Sequence, residues 1–291
     1  MQPAERNNQA QKMPWANLRL PPFPQVAIKV LQLARNENVQ LHQLSNLISS
    51  DPAFASEVLT VANSALYSPR YPANNILQAV AVLGANTLQG MCITVGVRAY
   101  LGKAMSHPAM RAVWRHNLAC ALLSQRLATA GSLDSETAYT AGVLHDIGRV
   151  ALAVIRPKDY GDLLSSHTGT PASILEGERL LFGWDHCETG RQLVEDWMLP
   201  AEFEPIVSSH HDEDRPGVAS QSNAPWDMNR LVKFGCRLAD VAGFPAFAGC
   251  HPTPYSDLLA ELPEKERAIL PAALETLSSQ IAESISTIES V

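Results

Sequence analysis

The sequence predicts an all-α protein: a multi-helix fold in which an N-terminal helical subdomain packs on a second helical subdomain. Apolar residues recur at three- and four-residue spacing along most of the chain, as they do on one face of an α-helix. The two-residue alternation that is typical of half-buried strands is nearly absent. Short turns rich in Pro, Gly and Ser separate the periodic segments, so we expect about a dozen helices.

Composition indicates a globular protein and argues against one class of partner. Apolar residues make up 46% and charged residues 18% of the 291 residues, which is enough for a substantial core. The net charge of −7 argues against nucleic-acid binding, because phosphate contacts need a basic face.

The five cysteines and the N-terminus predict a cytoplasmic protein. The cysteines are odd in number and form no CxxC pair, which argues against a disulfide framework or a four-cysteine zinc site and favours a reducing compartment. The N-terminus lacks the apolar core of a signal peptide. A stretch of about 20 apolar residues is also missing, so we expect no membrane span.

The first half is predicted to consist of a flexible tail, residues 1–19, and a helical subdomain, residues 20–105. Its proline-rich entry, LPPFP, cannot itself be helical. Asp51 and Pro52 form a typical helix start, and that helix should end near Asn63. A following apolar stripe from Ile76 stops at Gly84, and the run at 91–97, which periodicity leaves ambiguous, is favoured as a buried helix by its length and context.

The second half is predicted to consist of a metal-binding helical subdomain, residues 106–250, and a C-terminal segment, residues 251–291. Residues 212–227 are polar and contain proline, which predicts a surface loop. Residues 274–288 have helical periodicity and should form an amphipathic helix that packs on the body.

One core-like stretch, AYTAGVLHDIGRVAL, contains the adjacent pair His145 and Asp146. A buried carboxylate is expensive unless a charge or a metal compensates it. Imidazoles and carboxylates are the usual ligands of divalent Fe, Mn, Zn and Ni. The second half supplies a series of such residues in or beside helical segments: His116, His145, Asp146, His186, His210, His211 and Asp240.

In its order, this series resembles that of the HD phosphohydrolase superfamily, to which the HD-GYP cyclic-dinucleotide phosphodiesterases belong. The segments LPPFPQVAIKVLQLA, SDPAFASEVLTVANSALY and ILQAVAVLGANTLQGMCI, followed by AGVLHDIGRVAL, GWDHCETGRQLVEDWMLP and the HH pair, resemble the HDOD domain, a sister group. The resemblance runs from about residue 20 to residue 243. It implies an all-α fold with an HD-like second subdomain and a bacterial signalling role.

The chain departs from the HD-GYP pattern in three places. DEDRPGVAS stands where a GYP motif would follow His211, Arg149 replaces a common lysine, and Ala112 replaces a glutamate that supports a third metal in some members. The resemblance therefore implies two divalent ions rather than three.

The resemblance also assigns roles within this metal site. Asp146 is expected to bridge the two ions and to be catalytic in an active enzyme. His116, His145 and Asp240 would hold one ion, and the second ion would be held by His186, His210 and His211. Arg149, also a catalytic candidate, would contact a phosphate oxygen, although a salt bridge to a carboxylate explains this residue equally well.

Several neighbouring residues are expected to be structural. Asp185 and Glu188 are predicted to be solvated or capping residues rather than groups that orient His186. Cys187 is predicted to pack as a small hydrophobic side chain, and Trp197 to lie in the core or between the subdomains.

Two functions are open at this stage. In the first, the chain is a signalling module that acts through an unidentified protein partner, with the metal serving structure or sensing. In the second, it is a metal-dependent phosphohydrolase or phosphodiesterase that takes a phosphorylated small molecule, such as a nucleotide or cyclic dinucleotide. In both, we expect neither nucleic-acid nor membrane partners.

Overall fold

A computed structural model describes residues 22–34, 39–67, 71–169, 171–211 and 226–290. Within these ranges the chain forms helices and no strand, which confirms the predicted fold class; a single isolated bridge pairs Thr168 with Gly249. The predicted tail at 1–19 and most of the predicted loop at 212–227 lie outside the described residues.

The first half forms five α-helices. They are α1 (Gln25–Ala34), α2 (Leu41–Ser49), α3 (Pro52–Ala62), α4 (Ile76–Leu83) and α5 (Ala85–Leu101). The predicted start of α3 is confirmed, because the Asp51 carboxylate accepts hydrogen bonds from the amides of Ala53 and Phe54, both at 3.1 Å. The α4 stripe ends at Gly84, which has a φ of 86°. The ambiguous run at 91–97 lies inside α5 and is buried.

The second half forms a longer series of α-helices. These are α6 (Pro108–Gly131), α7 (Ser135–Leu144), α8 (Ile147–Ile155), α9 (Pro157–Ser166), α10 (Pro171–Phe182), α11 (His186–Asp196), α12 (Glu204–Ser209) and α13 (Met228–Val241). The long helix α6 packs against both α7 and α13, and α11 crosses α8.

Two glycines permit these close helix crossings. A Cβ on Gly142 would lie 2.4 Å from Cα of Ala121. The backbones of α7 and α6 can therefore lie this close only because residue 142 has no side chain. A Cβ on Gly148 would lie 1.8 Å from the carbonyl oxygen of His186. The second approach places the first residue of α11 beside the turn that carries His145 and Asp146.

An aromatic cluster joins the two halves. The ring of Trp197, directly after α11, stacks on Phe23 at a centroid distance of 4.7 Å and meets the edge of Tyr100 at 5.4 Å. The Gln32 side chain donates to the carbonyl of Met198 at 3.0 Å. The predicted position of Trp197 is therefore confirmed, and one hydrophobic core runs through both halves. The boundaries at 105/106 and 250/251 stay predictions.

The C-terminal segment forms α14 (Tyr255–Glu261), α15 (Glu264–Ala268) and α16 (Leu274–Glu289). The predicted amphipathic helix corresponds to α16, which buries Leu277, Ile281 and Ile285 and packs on α6.

Residues 135–155 have the length and mean hydropathy, 1.2, of a membrane-crossing helix. The sequence expectation overlooked this segment, which comprises α7, the His145–Asp146 turn and α8. Because 89% of its most apolar window is buried inside the fold, packing in the interior accounts for its composition.

Candidate metal centre

Different helices bring the predicted ligands to one place in the second half. His116 lies in the middle of α6, and His145 and Asp146 form the turn between α7 and α8. His186 is the first residue of α11, and the adjacent pair at 210–211 directly follows α12. The side chains at these six positions are buried, with residue exposures between 1% and 8%.

One group of possible metal ligands contains four residues: Asp146, His186, His210 and His211. One ligand atom from each lies within 4.8 Å of those of the others. Oδ1 of Asp146 is 3.1 Å from Nε2 of His210 and 3.4 Å from Nε2 of His186. The His211 ring lies 4.3 Å from the His210 ring and 5.2 Å from the His186 ring, between centroids. We call these residues the four-residue group.

A second group contains His116, His145 and Cys236, again with ligand atoms within 4.8 Å of one another. Sγ of Cys236 is 3.3 Å from Nε2 of His116, and the two imidazole rings lie 5.3 Å apart. We call these residues the three-residue group.

The Asp146 carboxylate lies between the two groups. Its Oδ1 faces His186 and His210, whereas its Oδ2 is 3.7 Å from Nε2 of His145. The two oxygens thus lie beside histidines of different groups, and Oδ2 also forms a salt bridge with Nε of Arg149 at 2.9 Å.

Four histidines share one orientation, in which Nδ1 is bonded to a fixed acceptor of the protein. The pairs are His116 with the Phe244 carbonyl (2.8 Å), His145 with the Gly142 carbonyl (2.7 Å), His186 with the Glu178 carboxylate (2.6 Å) and His210 with the Val207 carbonyl (3.0 Å). A neutral imidazole has one N–H, so donation from Nδ1 leaves a lone pair on Nε2.

The Nε2 atoms need a cation. Nε2 of His145 is buried and has no hydrogen-bond partner. Nε2 of His186 lies 3.2 Å from Nε2 of His210, a contact that two lone pairs cannot make without a proton or a metal between them. The donor set therefore fits divalent metal ions of the Fe, Mn, Zn and Ni type, which bind imidazole and carboxylate.

Without metal, the four-residue group holds protons instead. Burial and the Arg149 guanidinium lower the pKa of His186, but the Glu178 carboxylate and the Cys187 thiolate together outweigh them and raise it to about 10. Burial also lowers the pKa of His210, while Cys187 and Asp146 raise it to about 9. Metal binding must displace these protons and is therefore coupled to pH.

Two other histidines of the centre, His145 and His211, are neutral. Burial lowers the pKa of His145 to about 3. Burial and the charges of His210 and His186 hold the pKa of His211 well below its ordinary value. Neutral imidazoles are the form that binds metals, so these two side chains need lose no proton.

Glu178, which the sequence reasoning missed, organises one side of the centre. Its buried carboxylate accepts hydrogen bonds from the backbone amide of His186 at 2.8 Å, from Nδ1 of the same residue and from the Tyr160 hydroxyl at 2.6 Å. A carboxylate behind a metal-binding histidine fixes the ring and raises its basicity. The sequence does contain a signal that Glu178 is buried. It lies four residues from both Ile174 and Phe182, and so on the apolar face of the helix.

Arg149 makes the contacts of the salt-bridge alternative. Its side chain is 1% exposed; Nε is 2.9 Å from Oδ2 of Asp146, and Nη1 is 3.1 Å from Oε1 of Glu178. The guanidinium thus forms salt bridges with two buried carboxylates. For the expected phosphate contact, the Arg149 guanidinium would have to exchange one of these carboxylates for a phosphate oxygen.

Asp240 is the one predicted ligand that the structure places outside both groups. Its Oδ1 lies 3.4 Å from Nδ1 of His116, on the side of the ring opposite Nε2. Cys236 lies one turn earlier on the same face of α13, and its sulfur reaches the Nε2 side. Sequence order alone could not distinguish these two positions.

The predictions for three residues beside His186 differ in outcome. Asp185 and Glu188 form a capping box at the start of α11, which confirms the predicted capping role. Cys187 does more than pack, since its sulfur lies 4.0 Å from Nδ1 of His210. Burial raises the pKa of this thiol, but the neighbouring imidazoles His186 and His210 lower it to about 6.

The fold has counterparts among known proteins. The HDOD domain model matches residues 20–213. The chain belongs to the HDOD domain family.

Several proteins resemble this HDOD chain. An HDOD domain protein of unknown function from Geobacter sulfurreducens has a TM-score of 0.69 at 22% identity and covers 93% of each chain. A Shewanella amazonensis protein, with a suggested metal-dependent phosphohydrolase activity, has a TM-score of 0.61 at 20% identity over 92% of this chain and 93% of its own. A Marinobacter aquaeolei protein with a suggested signal-transduction role has a TM-score of 0.61 at 23% identity over 96% of this chain and 60% of its own.

A Treponema pallidum relative is an uncharacterized protein that is 26% identical over 204 residues. The match covers 67% of this chain and 38% of the relative, so the chain spans little more than a third of that protein's length. Together, the structural likenesses confirm the HDOD helical fold, and the donor groups support metal use.

Proposed function

We propose that this HDOD protein acts in signal transduction and contains a dinuclear divalent metal centre that serves structure or sensing. The observation that carries the proposal is the convergence of buried Nε2 atoms, each with its Nδ1 fixed by the protein, on the two oxygens of Asp146. Such a donor set is costly to bury without a compensating cation.

The division of the donors supports two ions. The four-residue group would hold one ion, and the three-residue group, with Cys236, would hold the other. Asp146 would contribute one oxygen to each. Asp240 would act behind His116, and Glu178 behind His186, to hold each imidazole in place.

Two features favour sensing over turnover. The donor side chains are almost completely buried, and Arg149 is neutralised by Asp146 and Glu178 instead of facing a ligand. The structural likeness to a protein with a suggested signal-transduction role agrees with this function.

Elemental analysis of the purified chain tests the metal centre. The proposal expects about two divalent ions per chain and a lower melting temperature after chelation. His186→Ala should remove at least one ion, whereas His42→Ala, in an exposed position on α2, should retain both. A metal-free wild-type protein whose stability does not respond to added Mn²⁺, Fe²⁺, Zn²⁺ or Ni²⁺ would refute the proposal.

The alternative is a phosphohydrolase or phosphodiesterase that acts on a nucleotide or cyclic dinucleotide. The position of Asp146 between two donor groups favours it, because a pair of bridged divalent ions, when bound, supplies an activated water and charge stabilisation for attack at phosphorus. Asp146 and the histidines would position the ions.

A panel of phosphodiesters and phosphomonoesters, assayed with Mn²⁺ or Fe²⁺, separates the two functions. Turnover that disappears in Asp146→Ala, with Asp162→Ala unaffected, would establish hydrolysis. A fully metal-loaded protein without turnover on any member of the panel would favour sensing.

We further propose a cytoplasmic location, an unidentified signalling protein as partner, and neither nucleic acid nor a membrane among the partners. The five cysteines, four of them buried thiols, and the acidic balance support these proposals. DNA or vesicle binding at low salt would contradict them, and copurification from bacterial cytosol under stringent washing would identify the partner.

A further inference from the structure

A cavity of about 370 Å³ lies beside the metal centre, between the start of α6, the end of α9 and the loop at 243–248. Ala109 and Ala112 form its α6 wall, and their small side chains leave the space open. Leu164, Phe244 and Phe247 supply larger apolar walls. A concave apolar site of this size is typical of small-molecule binding.

The loop that closes this cavity is held in place at both ends. The Phe244 amide donates to the carbonyl of Ala239 at 3.0 Å, and the Ala248 amide donates to that of Leu164 at 3.1 Å. The Phe247 ring is 5% exposed and meets the ring of His167 at 5.5 Å. The cavity is therefore built by fixed backbone contacts.

Arg115 is the cationic residue of the lining. Its Nε lies 3.5 Å from Oε2 of Glu289, the last residue of α16. The Nε atom is buried and makes no hydrogen bond, although the two side chains are 43% and 33% exposed. Partly exposed ion pairs contribute little stability, so a ligand anion can replace Glu289.

We propose that this cavity binds a small apolar carboxylic acid. The apolar part would lie between Ala112 and the two phenylalanines, and the carboxylate would bind Arg115 in place of Glu289. A guanidinium suits a carboxylate because two parallel N–H groups match its two oxygens.

The cavity shares a residue with the metal centre. Phe244 lines the cavity, and its carbonyl oxygen accepts the Nδ1–H of His116 at 2.8 Å. Occupation of the cavity therefore acts on the residue that orients one metal-binding imidazole. This second step, by which the acid alters metal retention, rests on the proposed function.

Calorimetric titration of the full chain with 4-phenylbutyrate tests the binding step, with 4-phenylbutanol and 4-phenylbutylamine as neutral and cationic analogues. The acid should bind at least about tenfold more tightly than either analogue. Arg115→Gln should weaken binding about tenfold, and Glu289→Gln should strengthen it, since the competing carboxylate is lost. Arg111→Gln, one turn earlier on α6 and outside the cavity lining, should leave binding unchanged.

Two cavity-filling variants test whether loss of binding can occur without misfolding. Ala112→Leu and Ala248→Leu should each abolish binding while circular dichroism stays that of the wild type. Equal binding of the acid and the alcohol, or an Arg115→Gln variant that binds like wild type, would overturn the proposal.

The link to the metal has a separate readout. The rate of metal release to a chelator should change at least about twofold with saturating 4-phenylbutyrate, and the Arg115→Gln variant should lose this response. Binding of the acid without any change in metal release would overturn the link and leave the binding site intact.

Discussion

The two halves of the molecule bury different kinds of side chain. Among the described residues before His116, Thr94 is the one buried polar side chain in a core of aliphatic and aromatic residues. The second half buries a polar and charged set: His116, Asn117, Ser124, Thr140, His145, Asp146, Arg149, Glu178, Asp185, His186, Thr189, His210, His211 and Glu266.

This difference indicates that the core of the first half serves stability and that the polar core of the second half serves function. The core of the first half is almost entirely apolar, whereas the core of the second half contains charges whose desolvation must be offset by pairing or by a metal. A well-packed apolar core would be the simpler solution, so the charged interior indicates a function that requires those groups. The following predictions, from the largest effect to the smallest, test this separation.

Asp146→Ala should have the largest effect, because it leaves Arg149 with one carboxylate instead of two and removes the oxygens shared by both donor groups. We expect a loss of about 3–5 kcal/mol in the free energy of unfolding and loss of both ions. Urea unfolding and elemental analysis measure these changes. The control Asp162→Ala, at an exposed position paired with Lys158, should change stability by less than about 1 kcal/mol.

Leu44→Ala, in the first half, tests whether stability can be reduced there without loss of metal from the second half. Leu44 is completely buried on α2, so the substitution leaves a cavity and should reduce stability by about 2–5 kcal/mol. Metal content should stay at the wild-type value. A simultaneous loss of metal would show that the two halves are not energetically separate.

Glu178→Gln should affect the metal more than the fold. The amide keeps the shape of the side chain but removes the charge that faces Arg149 and Nδ1 of His186. Metal affinity should fall about 10–100-fold, and stability by about 1–3 kcal/mol. Competition with a chromophoric chelator measures the affinity, and Glu176→Gln, exposed on the same helix, is the matched control.

A pH series on chelator-treated protein should show the smallest effect. The folded-state pKa of His186, about 10, lies above the ordinary value of 6.5, so folding takes up a proton between these values. Stability from this group is complete below pH 6.5 and is lost as pH rises towards 10. We expect a fall of about 1 kcal/mol per pH unit between pH 7 and 9.

Metal affinity should rise over the same pH range, because bound protons compete with the metal. In Glu178→Gln, the stability curve should be flatter. An apo protein whose stability rises between pH 7 and 9 would contradict the assigned His186–Glu178 pair.

The helices could be predicted from sequence because their signals are local. Asp51 caps α3, Asn63 ends it, and Gly84 stops α4, each through contacts within a few residues. The short helices α14 and α15 were not predicted individually, since five to seven residues carry little periodicity. The convergence of six predicted donors was accessible through their order along the chain.

The remaining site residues depend on long-range contacts that no local pattern fixes. The spacing of the cysteines gives no signal for Cys236, because its partner His116 lies 120 residues away. Glu178 entered the core through contacts with Tyr160 and Arg149, which come from two other helices. The same contacts include the salt bridge that is one of the two roles considered for Arg149.

Helix α11 begins at a side chain of the candidate metal centre and ends at the aromatic cluster that joins the two halves. His186 is its first residue, and Trp197, directly after its last turn, stacks on Phe23. Eleven residues of helix span about 16 Å and move as one rigid body. A displacement of His186 along the helix axis would therefore reach the buried contact between Trp197 and Phe23, and through it the core of the other half.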